Sequence, residues 1–278
     1  MQTTHESSGD RPIRPRSPRF DFREVPRFWL ASSGLATHIV NGANLLFPSG
    51  ERFFVRSVWR YVDRVTDPAE LNAVRAFCQQ EGRHAKAHED WFTAMRAQGY
   101  DVDGFLKWYE RLAWETLEPR FSRELALAVT AALEHYTAIM AEGALSDGVL
   151  DHAAHPVMRD LLLWHAAEEI EHRAVAFDVL QKVDPRYRTR VLGMVVATLG
   201  LAAFWGAATG YLVYQDAREG RPLRAYDLET MRQNPRHIGR DVFLRGLREY
   251  FERDFHPLKR DCLDLARRYL VDAGLEPA

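Results

Sequence analysis

The sequence predicts an all-α protein built on a four-helix bundle, with an extra long apolar helix and a C-terminal helical extension. Apolar residues recur at helical spacing through most of the 278 residues, and no alternating apolar and polar stretch predicts a β-strand. A pattern of the form Glu-x-x-His also occurs twice, at Glu81–His84 and Glu169–His172. Glu51 precedes the first copy by 30 residues, and Glu134 precedes the second by 35. The chain therefore divides into two similar helix pairs.

The composition is that of a globular protein with a substantial core, since 46% of the residues are hydrophobic and 27% are charged. The formal net charge is -2, so we expect no nucleic-acid partner. The two cysteines, Cys78 and Cys262, form neither a C-x-x-C motif nor a disulfide framework. This usage suits a reducing compartment and predicts a cytoplasmic protein, either free or attached to the inner membrane.

The N-terminal segment is polar and contains four arginines among prolines, without the apolar run of a secretory signal. We expect residues 1–19 to form a disordered arm. The alternative is a basic arm that contacts an anionic surface.

Residues 20–185 are expected to form the bundle. Its clearest helix start is Asp67-Pro68, because an acid can accept hydrogen bonds from the first backbone N–H groups and proline fits the first helical position. The predicted helices run from Ser49 to about Val65, from Pro68 to Gln98, from Val102 to Leu117 as a shorter segment, from Ser122 to Leu145, and from Pro156 to Val183.

The doubled motif has the geometry of a metal-binding pair. Residues three apart project from one face of a helix, so Glu81 and His84 can reach one metal ion together, as can Glu169 and His172. The two preceding glutamates would each add a carboxylate from another helix. Four carboxylates and two imidazoles suit iron, manganese or zinc better than calcium or magnesium, which prefer oxygen ligands alone.

The two single glutamates differ in how strongly the sequence supports them as ligands. Glu134 is the only acid in residues 125–141, and a lone carboxylate on a core-facing stripe is costly unless a partner neutralises it. Its alternative is a place on a polar side of the helix. For Glu51 the alternative is an acid in the first turn of a helix, where the helix dipole favours negative charge.

Two further histidines extend the pattern. His165 lies four residues before Glu169, and His88 lies four residues after His84, so each shares a helical face with a predicted ligand. We predict His165 as a seventh ligand, with contact to a ligand as its alternative, and leave both roles open for His88.

The complete predicted metal site contains Glu51, Glu81, His84, Glu134, His165, Glu169 and His172. The acids beside these residues in the sequence are rotated by about 100° around the helix, so we expect them to be solvated or to contact ligands. They are Glu89, Glu168 and Glu171.

On the two-fold order of these ligands, the chain resembles the ferritin-like di-iron carboxylate superfamily. The segments Leu46–Glu51, Gln79–His88 and Trp164–His172 look like those of a bacterial family described as predicted metal-dependent hydrolases. His165 is also similar to the third histidine of di-iron arylamine N-oxygenases, which oxidise amino groups.

These resemblances imply three functions. The superfamily implies a ferritin-like bundle with two iron ions that use O2 to oxidise a small organic substrate, with an electron donor if the protein is an oxygenase. This di-iron oxidase or oxygenase is our leading hypothesis. The family description implies instead a metal-dependent hydrolase that uses a metal-bridging water, for which manganese or zinc would also serve. The third hypothesis is a non-catalytic iron-binding protein.

An apolar helix is predicted within residues 186–217. Residues 191–214 carry no charge and are long enough to span a bilayer, although arginines on both sides argue against a simple single span. Gly206 and Gly210 have the spacing of closely packed apolar helices. The alternatives are a fifth helix that packs on the bundle or forms a homodimer, and attachment to a membrane.

The C-terminal extension, residues 218–278, is predicted to form amphipathic helices at about 237–252 and 256–272.

Overall fold

The computed structural model describes residues 13–146, 148, 150, 154–233 and 237–276. These residues are all-helical, and among them no strand forms beyond an isolated β-bridge between Leu30 and Ala154. The predicted all-α fold class is therefore confirmed.

The α-helices follow one another along the chain with short connections. They are α1 (Gly34–Trp59), α2 (Pro68–Ala97), α3 (Val102–Glu110), α4 (Arg123–Ser146), α5 (Pro156–His172), α6 (Val175–Val183), α7 (Tyr187–Arg218), α8 (Ala225–Gln233), α9 (Arg245–Tyr250) and α10 (Leu263–Asp272). Helix α3 continues as a π-helix over Arg111–Leu117, and a second π-helix, Ile238–Leu244, leads into α9. Helix α8 was not predicted, and the predicted helix at 237–252 is divided between the second π-helix and α9.

The predicted helix start at Ser49 is wrong. Helix α1 begins earlier because the side chain of Ser33 accepts a hydrogen bond from the Ala36 N–H. The Ser33 hydroxyl in turn donates to Asp227 of α8 at 2.7 Å, a contact that sequence patterns do not reveal. Glu51 therefore lies inside α1 and not in its first turn, so the helix dipole does not account for it.

Helix α2 begins as predicted. The Asp67 carboxylate accepts hydrogen bonds from the N–H groups of Ala69 and Glu70, at 2.8 and 3.0 Å. After the helix ends, Gly99 adopts a left-handed conformation with φ of 92°, which favours glycine.

The predicted fourth helix is interrupted between α5 and α6. Arg173 is buried there, and its guanidinium donates to the backbone carbonyls of Pro257 and Arg260, at 3.3 and 3.0 Å. It also donates to the carbonyl of Ile170 within α5. Because side-chain insertion into the backbone ladder bends helices, we attribute the break to Arg173.

The long helices form two packed pairs. Helix α1 packs on α2, and α4 packs on α5 and α6, while α1 also contacts α4 and α2 also contacts α5. Helix α7 lies across α1 and α4. It approaches α4 closely at Gly193, where a Cβ atom would lie 2.6 Å from Ala128. In contrast, Gly206 and Gly210 face open space.

Helix α7 has features expected of both alternatives, a helix that packs on the bundle and a helix that attaches to a membrane. Among the described residues it is a helix long and apolar enough to cross a membrane. One face nevertheless packs on α1 and α4, and the opposite face exposes Leu192, Val195 and Leu199. Membrane attachment and homodimer formation stay predictions.

The N-terminal segment differs from the expected disordered arm where it is described. Residues 1–12 lie outside the described residues, but residues 13–19 pack on the helices. Arg16 is 8% exposed, and its guanidinium donates to Glu171 at 2.9 Å. The segment is ordered there because buried carboxylates of α5 pair with this guanidinium.

Candidate metal centre

The seven predicted ligands come together in one buried cluster. Helix α1 supplies Glu51, α2 supplies Glu81 and His84, α4 supplies Glu134, and α5 supplies His165, Glu169 and His172. The most exposed of them is His165, at 5%. The four helices therefore direct every predicted ligand into the same interior volume.

One half of the cluster surrounds His172. Its Nε2 atom lies 3.1 Å from Oε1 of Glu81, 3.4 Å from Oε2 of Glu134 and 3.4 Å from Oε1 of Glu169. Three helices thus place carboxylate oxygens around one imidazole nitrogen.

The other half contains Glu51, His84 and His165. The Nε2 atom of His165 lies 2.9 Å from Oε1 of Glu169 and 3.7 Å from Oε1 of Glu51. The rings of His84 and His165 are 4.2 Å apart between centroids. His165 therefore lies beside the histidine of the first motif, although it shares a helix with the second.

Glu81 and Glu169 belong to both halves. Glu81 groups with Glu51 and His84 on one side and with Glu169 and His172 on the other, with the potential ligand atoms of each group within 4.8 Å of one another. Glu169 also groups with His84 and His165 at the same limit. Two carboxylates shared between two sets of nitrogen ligands suit a pair of metal ions.

The donor chemistry also fits metal ions. Both carboxylate oxygens of Glu51, Glu81 and Glu134 are buried without a hydrogen-bond partner among the described residues. Buried carboxylates without hydrogen bonds are costly, and native proteins rarely leave several together. Burial and the nearby acids raise the pKa of Glu51 well above its usual range, and burial does the same for Glu134. Cations between these carboxylates would remove that cost.

Two hydrogen bonds fix the orientation of the motif histidines. Nε2 of His84 donates to Oε2 of Glu168 at 3.0 Å, which leaves Nδ1 facing the cluster. Nδ1 of His172 donates to Oε1 of Gln80 at 2.9 Å, which leaves Nε2 facing the cluster. Such contacts select the ring nitrogen that is free to bind a metal.

Arg16 connects these two contacts. Its backbone N–H donates to Glu168 at 2.9 Å, and its guanidinium donates to Glu171. Glu171 in turn accepts a hydrogen bond from the Gln80 amide at 2.8 Å. Sequence reasoning missed Arg16 and Gln80, and the one local signal was the position of Gln80 directly before Glu81.

The remaining polar residues beside the motifs fall into two groups, those that contact a predicted ligand and those that face solvent. His88 contacts a predicted ligand, since its Nε2 lies 2.8 Å from Nδ1 of His165. Glu168 also contacts a predicted ligand, His84. Glu89 is exposed and pairs with Arg52 at 2.6 Å, as expected for a solvated acid.

A cavity of about 290 Å³ reaches this cluster at His165 and Glu169. Helices α1, α4 and α5 and the second π-helix supply most of its wall, and most of the lining side chains are apolar. A small molecule can therefore approach two of the predicted ligands.

Comparison with known proteins gives one match. A family model described as "Predicted metal-dependent hydrolase" matches residues 14–261. No curated protein and no solved structure matches significantly. The match includes the seven predicted ligands and Arg16.

Proposed function

Since this chain belongs to the family of predicted metal-dependent hydrolases, we propose that it is a hydrolase that uses two metal ions. The observation that carries the proposal is the buried cluster in which carboxylate oxygens without hydrogen-bond partners face three imidazoles. The proposed ligands are Glu51, Glu81, His84, Glu134, His165, Glu169 and His172. In this proposal α1, α2, α4 and α5 form a ferritin-like bundle around the two ions.

In this proposal the ligands and the residues that orient them have different roles. Glu81 and Glu169 would hold both ions, because each groups with nitrogen ligands from both halves of the cluster. Glu168 and Gln80 keep the histidines in the binding tautomer. When bound, a pair of divalent ions lowers the pKa of a water molecule and polarises a substrate carbonyl. Carboxylates with imidazoles are consistent with iron, manganese or zinc as the metal.

A second candidate function is O2-dependent oxidation by a di-iron centre. It is favoured by the order Glu51, Glu81-x-x-His84, Glu134, Glu169-x-x-His172 on four long helices and by the position of His165 beside His84. The protein would then need an electron donor for oxygenation. The family description favours hydrolysis, so oxidation ranks second.

The decisive experiment compares the two reactions on protein of known metal content. Purified metal-free protein is loaded separately with Zn²⁺, Mn²⁺ and, without oxygen, Fe²⁺, and each form is assayed on a panel of neutral esters and amides. We expect hydrolysis that follows metal content and is lost in Glu134→Ala. Absence of hydrolysis with every metal, together with O2 uptake by the ferrous protein, would instead favour the oxidase. Two bound ions with neither activity would favour metal binding alone.

A further inference from the structure

A second apolar cavity also reaches the candidate metal centre. It has a volume of about 130 Å³ and reaches the cluster at Glu51, whereas the cavity of about 290 Å³ reaches it at His165 and Glu169. The larger and the smaller cavity therefore reach the same cluster at different predicted ligands.

The two cavities meet at a small set of side chains. The residues that line both of them are Ala43, Phe47, Thr137, Met140 and Trp205. The Phe47 ring is 4.9 Å from the ring of His165, so this boundary lies directly against the cluster. A molecule that extends from one cavity into the other would therefore pass Phe47, next to His165.

The residues that line the two cavities indicate which kind of molecule can enter them. Among the described residues, no lysine or arginine lines either cavity, and most of the wall is aliphatic or aromatic. Outside the cluster, the acidic and histidine side chains in this described wall are His237 and Asp241 of the larger cavity, and the backbone N–H of His237 donates to the Asp241 carboxylate at 2.8 Å. Burying a carboxylate or phosphate without a cationic partner is costly. Apolar groups gain free energy on entering such a cavity, at a level equivalent to about fourfold in binding per methylene.

We propose that the substrate is an uncharged ester with apolar groups on both sides of the scissile bond. The acyl chain occupies the larger cavity, the alcohol portion occupies the smaller one, and the ester carbonyl lies at Glu51, His165 and Glu169. This proposal rests on the proposed hydrolase. The reaction consumes one water molecule, which adds to the carbonyl carbon. The C–O bond then breaks, the alcohol oxygen takes a proton, and a carboxylic acid and an alcohol leave.

Two substitutions test the cavities separately. Ala144 lines only the larger cavity, so Ala144→Leu should reduce kcat/KM for long acyl chains and spare short ones. Gly200 of α7 lines only the smaller cavity, and a Cβ atom there meets nothing within 4 Å. Gly200→Leu should therefore reduce kcat/KM for esters of large alcohols and spare methyl esters. Gly206→Leu on the same helix is the matched control, because Gly206 lines neither cavity and also faces open space.

The substrates are neutral esters in which the acyl chain and the alcohol are lengthened independently, and the enzyme is the metal-loaded full chain. We expect kcat/KM to rise by about fourfold per methylene until a cavity is filled. An ester of equal length with a terminal carboxylate on the acyl chain should be hydrolysed poorly. Values of kcat/KM that do not depend on chain length, or equal values for the neutral and the carboxylate ester, would overturn the two-cavity proposal. The proposed hydrolase activity would still stand in that case.

Binding of a long-chain dialkyl ether, which cannot be hydrolysed, tests the two-cavity site independently of the proposed hydrolase activity. Calorimetry should show that it binds with a negative heat-capacity change, as burial of apolar surface requires. Ether binding that Ala144→Leu and Gly200→Leu weaken, without hydrolysis of any ester, would reject the hydrolase and support the two-cavity site. Absence of ether binding would reject the two-cavity site.

Discussion

At the scale of single residues, the candidate site is defined by buried polar atoms that lack partners. Glu134 is the clearest example, because it is fully buried and neither carboxylate oxygen has a hydrogen-bond partner among the described residues. The sequence identified it because no other acid occurs in residues 125–141. Such a feature costs stability in isolation, and binding of a metal ion is the use that we propose for it.

Glu134→Gln should reduce the metal content of the protein by at least one ion. Glutamine has nearly the same shape but is a poor metal ligand, so the helix packing should persist. Elemental analysis of the variant and of Glu115→Gln, an exposed acid far from the motifs in sequence, would measure the change. An unchanged content of two ions in Glu134→Gln would contradict the assignment.

Glu168→Gln should weaken metal binding without changing the number of ions. Glu168 accepts hydrogen bonds from His84 and from the Arg16 backbone, so its charge holds the His84 tautomer. Loss of such a partner weakens metal affinity by roughly 10–100-fold. Competition with a chelator would measure the affinity, and Glu89→Gln provides an exposed control. Equal affinities in wild type and Glu168→Gln would show that Glu168 does not orient a ligand.

The sequence could predict that the seven residues lie together because much of their spacing is local. Residues three or four apart on one helix share a face whatever the rest of the fold does, which identified Glu81 with His84 and Glu169 with His172. It could not predict Arg16, whose partner Glu168 is 152 residues away. Contacts between distant segments depend on packing, and spacing carries no information about them.

At the scale of the elements, helix boundaries were predictable where the signal was local. Asp67 caps α2 with its own carboxylate, and this was visible in the sequence. The start of α1 and the break after α5 were not predictable. The first involves Asp227 and the second involves the carbonyls of Pro257 and Arg260, all far along the chain.

Helix α7 should depend on Gly193 for its packing. A Cβ atom at this position would lie 2.6 Å from both the backbone and the side chain of Ala128, so Gly193→Val must push α7 away from α4. Overpacking of this kind costs roughly 1–3 kcal/mol. Thermal and urea unfolding would measure the loss.

Gly206→Val is the control for this experiment, since the same substitution on the same helix meets nothing within 4 Å. Intrinsic helix propensity is equally affected in the two variants, so the difference between them reports the α4–α7 contact alone. Equal stabilities would mean that α7 does not pack on α4 at Gly193.

At the scale of the whole molecule, the metal ions would connect all four long helices of the candidate centre. The connection extends to both ends of the described chain, because Arg16 contacts Glu168 and Glu171 of α5 and also pairs with Glu276. Residues 13–19 and the C-terminal segment are therefore linked through the polar contacts that orient the histidines. Metal binding and the stability of the whole fold should be coupled.

Removal of the metal should lower the melting temperature of the protein. A ligand at 100 times its Kd stabilises the folded state by about 2.7 kcal/mol, which for a protein of this size corresponds to roughly 5–10 °C. Calorimetry of chelator-treated and metal-loaded protein would measure the shift. An unchanged melting temperature after complete metal removal would contradict the coupling.

The effect of Glu134→Gln on the melting temperature should have opposite signs in the metal-loaded and the metal-free protein. In the metal-loaded protein the substitution removes a ligand, so Glu134→Gln should melt below wild type. In the metal-free protein, burial raises the pKa of Glu134 well above its usual range, so folding at neutral pH must either protonate this carboxylate or bury its charge. Glutamine avoids that cost, so the variant should melt above wild type. A residue that served only packing would change stability in the same direction in both states. Opposite signs would therefore identify Glu134 as a residue that lowers the stability of the metal-free fold in order to bind a metal.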